Sequence, residues 1–297
     1  MLTPDQLRTF KRTGFLVFRD ALDEETCERA RELVWDAIPV EPDEPETWFD
    51  RGHDEILNRT SDSDSRLSSI EPFERLFRDV YPYAEPLVGE GLLAAPDERP
   101  TEYCLHGGHL MASRDDGSVL EHDGLLGPIL QYPESYDEDD PDRFSRLDTR
   151  HVDGYVGEYA DGTDVTYLPF TVGIAAYLDE VEPRGGGFTV WPGSHLKVKR
   201  YFREHSYQDY IDAGGSVLDD LDLGPPFEVT GGAGTLVLWH HNIVHGAGPN
   251  HSERIRMAAF QRIARKDVAE IGEGGLGDAW LQFDAIRDLE PVVRESF

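Results

Sequence analysis

The residues best suited to chemistry are a histidine and an aspartate two positions apart, His151 and Asp153. On a β-strand, such residues point to the same face, so an imidazole and a carboxylate can converge on one metal ion. A second histidine from elsewhere in the chain completes a set of two histidines and one carboxylate, which binds Fe(II) and leaves open positions for other ligands. The H-x-D pair alone is a weak signal, because an ordinary surface pair has the same pattern.

The second histidine is best sought where an apolar run leads into His245-Gly246. The run Leu236-Val237-Leu238 predicts a strand, and a loop joins it to His245. Arg256 stands eleven residues after His245, on the next predicted strand. A guanidinium there can hold a dicarboxylate cosubstrate through two parallel hydrogen bonds. Arg254 is expected to share a strand face with Arg256 and could bind the cosubstrate equally well. For each arginine, the alternative role is a surface salt bridge.

The remaining histidines fit structural roles better than ligand roles. Three are expected to lie in a turn or to pack beside the site, namely His195, His240 and His241. Two pairs are weaker alternatives for a metal, namely His106 with His109 and His122 with Asp123. Adjacent residues on a strand face opposite ways, which counts against the second pair.

Local patterns place these residues on a β-rich core that follows a helical beginning. Thr3, Pro4 and Gln6 predict a capped helix that stops near Gly14, and Asp23 predicts the cap of a second helix. After about residue 100, short apolar runs alternate with glycine- and proline-containing turns, which is typical of a β-sandwich or barrel. The predicted elements are a helix at 73–80, strands at 15–18, 103–105, 166–168, 172–178, 188–190, 236–238 and 257–263, and an acidic loop at 137–142.

We therefore expect one domain that spans residues 1–297 and is mainly β with bracing helices. Residues 1–100 are predicted to be mostly helical, 101–265 to form the β-core with the metal site, and 266–297 to form a C-terminal extension.

The ordered set of motifs resembles the phytanoyl-CoA dioxygenase family of Fe(II)- and 2-oxoglutarate-dependent oxygenases. The opening from Leu2 to Val17 looks like the start of that family, and Gly185-Gly186-Gly187 through Pro192-Gly193-Ser194-His195 is similar to an internal family segment. The H-x-D pair, the later His245-Gly246-Ala247-Gly248 and Arg256 follow in family order. The resemblance covers most of the chain.

This resemblance implies a site and a fold. His151, Asp153 and His245 would bind Fe(II), and Arg256 would hold the far carboxylate of 2-oxoglutarate, with O2 as the other reactant. The implied fold is a double-stranded β-helix, a jelly-roll or cupin-like barrel. Relatives that halogenate replace the carboxylate with a small residue, so Asp153 favours hydroxylation. Ala247 departs from the family, because many relatives have a serine or threonine there that helps to bind the cosubstrate.

Two other classes remain as alternatives. One is a non-catalytic β-helix protein that keeps the metal site, and the other is a cupin-type isomerase or lyase that uses no cosubstrate. Arg256 argues against the cupin alternative, and the complete set of ligands argues against the inert one. The substrate is expected to be a small organic molecule. The residues specify neither its identity nor the oligomeric state of the protein.

The charge balance bears on the surroundings rather than on the chemistry. The 297 residues include 59 acidic and 28 basic side chains, for a formal charge of −31. Such a surface repels phosphate backbones and anionic lipid, so nucleic acid and membrane are not expected partners. Only four of the basic residues are lysines, which together with the acidity resembles proteins of salt-accumulating halophiles. Two cysteines and the lack of a visible signal peptide fit a reduced cytoplasm.

Overall fold

A computed structural model describes the greater part of the chain. The described residues are 2–38, 40–41, 44–48, 55–56, 71–94, 112–113, 120–121, 125–134, 150–154, 157–158, 164–165, 170–214 and 216–290. The strands predicted at 103–105 and 166–168, the loop at 137–142, and the pairs His106 with His109 and His122 with Asp123 lie outside them. None of the helices within these ranges has the length and hydropathy that a membrane-spanning segment requires.

Local signals place the first two helices as predicted. The Thr3 hydroxyl accepts the Gln6 N–H at 3.3 Å, and the Gln6 side chain accepts the Thr3 N–H at 2.8 Å. The helix ends at Gly14, whose φ of 84° lies in the left-handed region that favours glycine. Asp23 caps the next helix by accepting the Thr26 N–H at 3.2 Å. The α-helices are α1 Pro4–Thr13, α2 Glu24–Ala37, α3 Phe73–Asp79, α4 Tyr81–Val88, α5 Ser194–Tyr201, α6 Tyr207–Asp212, α7 Val217–Asp220, α8 Val268–Ile271 and α9 Gly274–Gly277.

The strands form two main antiparallel sheets and two small hairpins. They are β1 Phe15–Phe18, β2 Glu55–Ile56, β3 Ala112–Ser113, β4 Leu120–Glu121, β5 Leu125–Gln131, β6 Gly157–Glu158, β7 Asp164–Val165, β8 Val172–Tyr177, β9 Phe188–Val190, β10 Phe227–Glu228, β11 Leu236–His240, β12 His245–Ala247 and β13 Arg256–Ile263. The large sheet has the order β1-β11-β8-β13-β5-β2, and the smaller one has the order β10-β9-β12.

Strand alternation divides the core into two layers. One face of the large sheet, which includes Ile174 and Leu238, packs with the helices through residues such as Phe10 and Leu76. The opposite face packs with the small sheet in a second cluster that contains Tyr177, Trp239, Phe260, Phe188 and Val190. Burying each large apolar side chain contributes about 1.5–3 kcal/mol, so this layer fixes how the two sheets face each other.

The predicted barrel is present only as two facing sheets. Among the described residues, no strand pairing closes the two sheets into a barrel. Isolated β-bridges, such as that between Val181 and Gly231, lie outside the strands. The fold is therefore mostly β, with antiparallel sheets and helices. The region predicted to be mostly helical contributes β1 to the large sheet, where it pairs with β11. Helices α5–α7 were not predicted and stand between β9 and β10.

Candidate metal centre

Three of the predicted residues, His151, Asp153 and His245, come together at the start of β12. His151 and His245 form an antiparallel bridge in which each backbone N–H donates to the other residue's carbonyl, at 2.9 and 3.0 Å. Asp153 lies two residues further along on the same face. One donor atom from each of the three side chains lies within 4.8 Å of the others. The arrangement can therefore hold one metal ion.

Asp153 stands between the two imidazoles. Its Oδ1 lies 3.5 Å from Nε2 of His151, and its Oδ2 lies 3.5 Å from Nε2 of His245. The side chains of Asp153 and His245 are each 6% exposed, whereas that of His151 is 49% exposed. The centre is therefore buried on two sides and reaches solvent past His151.

Hydrogen bonding and burial leave His245 ready to act as a ligand. Its Nδ1 lies 3.1 Å from the carbonyl oxygen of Ile243, so a proton on Nδ1 leaves the lone pair on Nε2, which faces Asp153. Burial lowers the pKa of His245 to about 4, against the opposing effect of the Asp153 carboxylate. The ring is therefore neutral at physiological pH, the form that binds metals.

A second arginine of β13, Arg262, holds the carboxylate of Asp153. Its Nη2 donates to Oδ1 at 2.6 Å, and its Nε donates to Oδ2 at 3.2 Å. Burial opposes ionisation of Asp153, but the guanidinium of Arg262 and the two histidines outweigh it and hold the pKa of Asp153 well below its usual range. The carboxylate of Asp153 is therefore ionised. The guanidinium carbon of Arg262 lies over the ring of Phe170, 5.4 Å from the ring centroid.

Arg256 lies on the same face of β13 as Arg262, at the beginning of the strand. It is 3% exposed. Its guanidinium donates to Gly186 O at 3.1 Å, to Ile129 O at 3.0 Å and to Gln131 Oε1 at 3.3 Å. These bonds fix the plane of a buried cation.

The expectation that Arg254 shares this face is wrong. Its guanidinium lies 3.8 Å from Asp179 and 3.9 Å from Glu180, and its side chain is 51% exposed. The cause is a turn before the strand, in which the Asn250 side chain donates to the carbonyl of Arg254 and accepts the Ser252 N–H. Because β13 begins only at Arg256, Arg254 forms the alternative surface salt bridge.

Aromatic rings line the path from His245 to Arg256. The Phe188 ring lies 5.2 Å from His245 and 6.1 Å from Phe260, and the guanidinium of Arg256 lies 5.6 Å from the Phe260 ring. The Trp239 ring lies 4.6 Å from Phe188, 5.5 Å from His245 and 6.1 Å from Phe260. Aromatic rings in mutual contact therefore connect His245 with the buried arginine.

His195, His240 and His241 are not among the described residues that converge on the centre. His195 is in helix α5 rather than in the predicted turn, which ends at the left-handed Gly193, and its Nε2 lies 3.3 Å from Lys11 O. His240 and His241 are buried, and each ring contacts a backbone carbonyl of the C-terminal segment, Ala279 O at 2.6 Å and Gly275 O at 3.1 Å. These contacts agree with packing roles.

Residues that the sequence reasoning missed complete the surroundings of the centre. Arg262 could have been found, because it lies six residues after Arg256 and period-two alternation puts both on one face. Tyr207 and Tyr210 of α6 contact the backbone of Val152, and no sequence pattern connects them with it.

The sheets and the centre define a class of protein, in which facing antiparallel sheets carry two histidines and one carboxylate at a single point. Residues 148–258 match the family model described as phytanoyl-CoA dioxygenase. This segment contains His151, Asp153, His245 and Arg256. A search of the curated proteins gives no match.

Solved structures show remote similarity to the chain. One is the non-haem α-ketoglutarate-dependent carbocyclase SnoK from nogalamycin biosynthesis, with 17% identity, a TM-score of 0.45, and coverage of 88% of this chain and 83% of that one. Another is HygX from Streptomyces hygroscopicus with nickel and 2-oxoglutarate bound, at 18% identity and a TM-score of 0.42, covering 89% and 87%. A third is AviO1 from Streptomyces viridochromogenes Tue57, at 16% identity and a TM-score of 0.44, covering 89% and 96%.

Proposed function

We propose that this chain is a non-haem Fe(II)- and 2-oxoglutarate-dependent dioxygenase that hydroxylates a C–H bond of a small organic substrate and releases succinate and CO2. His151, Asp153 and His245 are the proposed iron ligands, and Arg256 is the proposed partner of the cosubstrate. The observation that carries the proposal is the convergence of the three donor atoms within 4.8 Å. The family match, which includes all four residues, supports it.

The residues of the centre fit Fe(II). Two imidazoles and one carboxylate are the donor set of non-haem iron oxygenases, and they leave coordination positions open. The carboxylate of Asp153 is ionised and the ring of His245 is neutral, as ligation requires. When bound, the iron and 2-oxoglutarate supply the activation of O2 that inserts oxygen into a C–H bond.

The chemistry of the groups from His245 to Arg256 suits a dicarboxylate cosubstrate. A molecule with a carboxylate at each end and methylenes between them matches a polar centre, an apolar lining of Phe188 and Phe260, and a buried guanidinium. Three hydrogen bonds to Gly186, Ile129 and Gln131 hold the guanidinium of Arg256 in place, and a guanidinium binds a carboxylate through two parallel hydrogen bonds. Ring packing around Phe188 also covers the His245 side of the centre.

The test is formation of succinate from 2-oxoglutarate in the presence of Fe(II) and O2, with and without candidate substrates. We expect turnover by the wild-type protein and none by the Asp153→Ala variant, because a ligand is lost. Asp179→Ala is the matched control, since Asp179 belongs to a surface loop and pairs with Arg254. Unchanged turnover in Asp153→Ala would show that the iron assignment is wrong. Iron binding without succinate formation would favour the non-catalytic alternative.

A further inference from the structure

The metal-binding side chains are anchored by the residues that alternate with them. His151 and Asp153 face the centre, so Val152 between them faces the other way, and Val244 does the same beside His245. Both valines are buried, with exposures of 1% and 0%. They belong to one hydrophobic cluster with residues of the helical segment between β9 and β10, namely Val198, Phe202, Tyr207, Tyr210 and Leu218.

Two phenols of α6 hydrogen-bond to the backbone between the first two proposed ligands. The Val152 N–H donates to Tyr210 Oη at 3.2 Å, and the Tyr207 hydroxyl donates to the Val152 carbonyl oxygen at 3.0 Å. The preceding residue, His151, is held in place by its two backbone hydrogen bonds to His245. The H-x-D segment is therefore fixed by β12 at His151 and by two tyrosine side chains at Val152.

Further contacts join the same two segments. The guanidinium of Arg150 pairs with the Asp219 carboxylate of α7. Gly154 lies against the ring of Tyr207, and a Cβ at residue 154 would overlap that ring. Tyr207 and Tyr210 are only 2% and 4% exposed, so their rings have little room to move away.

We propose that Tyr207 and Tyr210 are positioning residues that set the metal affinity of the centre by fixing the backbone between His151 and Asp153. This role rests on the proposed function, because it assumes that the three side chains bind a metal. A ligand pair two residues apart is correctly spaced only when the intervening peptide groups are fixed. The helical segment between β9 and β10 is thereby coupled to the metal, and metal binding must in turn stabilise α6.

The test is anaerobic Co(II) binding, measured by competition with a chelating dye and by the visible d–d absorption of Co(II). Tyr207→Phe and Tyr210→Phe keep the rings in the cluster and remove only the hydroxyls. We expect each variant to bind Co(II) about tenfold more weakly and to show an altered d–d spectrum. A tenfold loss is the lower end of the range for removal of a group that orients a metal ligand. Tyr201→Phe is the matched control, because Tyr201 stacks on His205 at 4.2 Å and belongs to α5.

A second measurement uses only the wild-type protein, so it does not depend on whether the variants fold. Co(II) is expected to slow amide hydrogen exchange in α6 as well as at residues 150–154. Unchanged Co(II) affinity and spectrum in folded Phe variants would overturn the positioning role, as would unchanged exchange in α6 when Co(II) is bound. Failure of the wild-type protein to bind Co(II) would instead contradict the metal centre itself.

Discussion

Replacement of Arg262 by methionine removes the guanidinium that pairs with a buried proposed ligand. Methionine keeps an apolar stem against Phe170 and loses both hydrogen bonds to Asp153, at 2.6 and 3.2 Å. The carboxylate is then left 6% exposed without its strongest positive partner. The variant separates the electrostatic role of Arg262 from its packing role.

The expected cost follows from the burial of the two partners. Breaking a fully buried ion pair costs about 3–5 kcal/mol. The Arg262 side chain is 24% exposed, and solvent screens part of the interaction, so about 2–3 kcal/mol is expected here. At roughly 2 °C per kcal/mol for a chain of this size, Tm falls by about 5 °C. In the variant, a divalent metal can replace the guanidinium as the positive partner of Asp153. The metal is also no longer repelled by the guanidinium, so we expect it to bind more tightly to the variant than to the wild-type protein.

Thermal unfolding in EDTA and in saturating Mn(II) measures both effects. We expect Arg262→Met to lose stability in EDTA and to gain more than the wild-type protein from Mn(II), by about 1 kcal/mol or more, as binding linkage requires. Arg254→Met is the control, because its ion pairs are exposed and contribute about 0.5 kcal/mol or less. Equal losses in the two variants in EDTA, or equal gains from Mn(II) in Arg262→Met and the wild-type protein, would refute the reasoning.

Two further predictions concern solution conditions. Burial lowers the pKa of His195 to about 3 and that of His241 to about 4, so below pH 6.5 the unfolded chain binds protons that the folded chain does not. Stability is therefore complete above pH 6.5 and falls by about 2 kcal/mol per histidine at pH 5. Urea unfolding at several pH values measures this loss, which His195→Gln should reduce by about 2 kcal/mol at pH 5; a flat profile would contradict the assignment. Because the net charge is −31, Tm should rise steeply with KCl as the screening length falls to about 3 Å at 1 M, whereas a flat response up to about 2 M would show that repulsion between the acidic side chains does not limit stability.

Features determined by neighbouring residues were predictable from the sequence. The capping box at Thr3 and Gln6 and the Asp23 cap depend on contacts within one helical turn, and both are present. The apolar runs at 172–178, 188–190, 236–238 and 257–263 coincide with strands because each is buried on both faces. The convergence of His151 with Asp153 required only the alternation of an extended chain.

Features that depend on long-range packing were not predictable. The backbone bonds of Val152 go to phenols more than fifty residues away, at positions 207 and 210, and no local pattern relates them. Arg254 and Arg256 look alike in the sequence, and only the turn at Asn250 places one at the surface and the other in the core. His195 lies in helix α5, which begins at Ser194 directly after the left-handed Gly193, and the Pro-Gly-Ser-His pattern alone does not reveal this.

The central claim is that His151, Asp153 and His245 hold Fe(II) next to a 2-oxoglutarate site that ends at Arg256. Its most direct test is an anaerobic titration with Fe(II) followed by 2-oxoglutarate, in high-salt buffer, observed by visible absorption. We expect one bound iron per chain and a metal-to-ligand charge-transfer band that develops only after 2-oxoglutarate is added. Stoichiometric iron binding with no such band at saturating 2-oxoglutarate would contradict this claim.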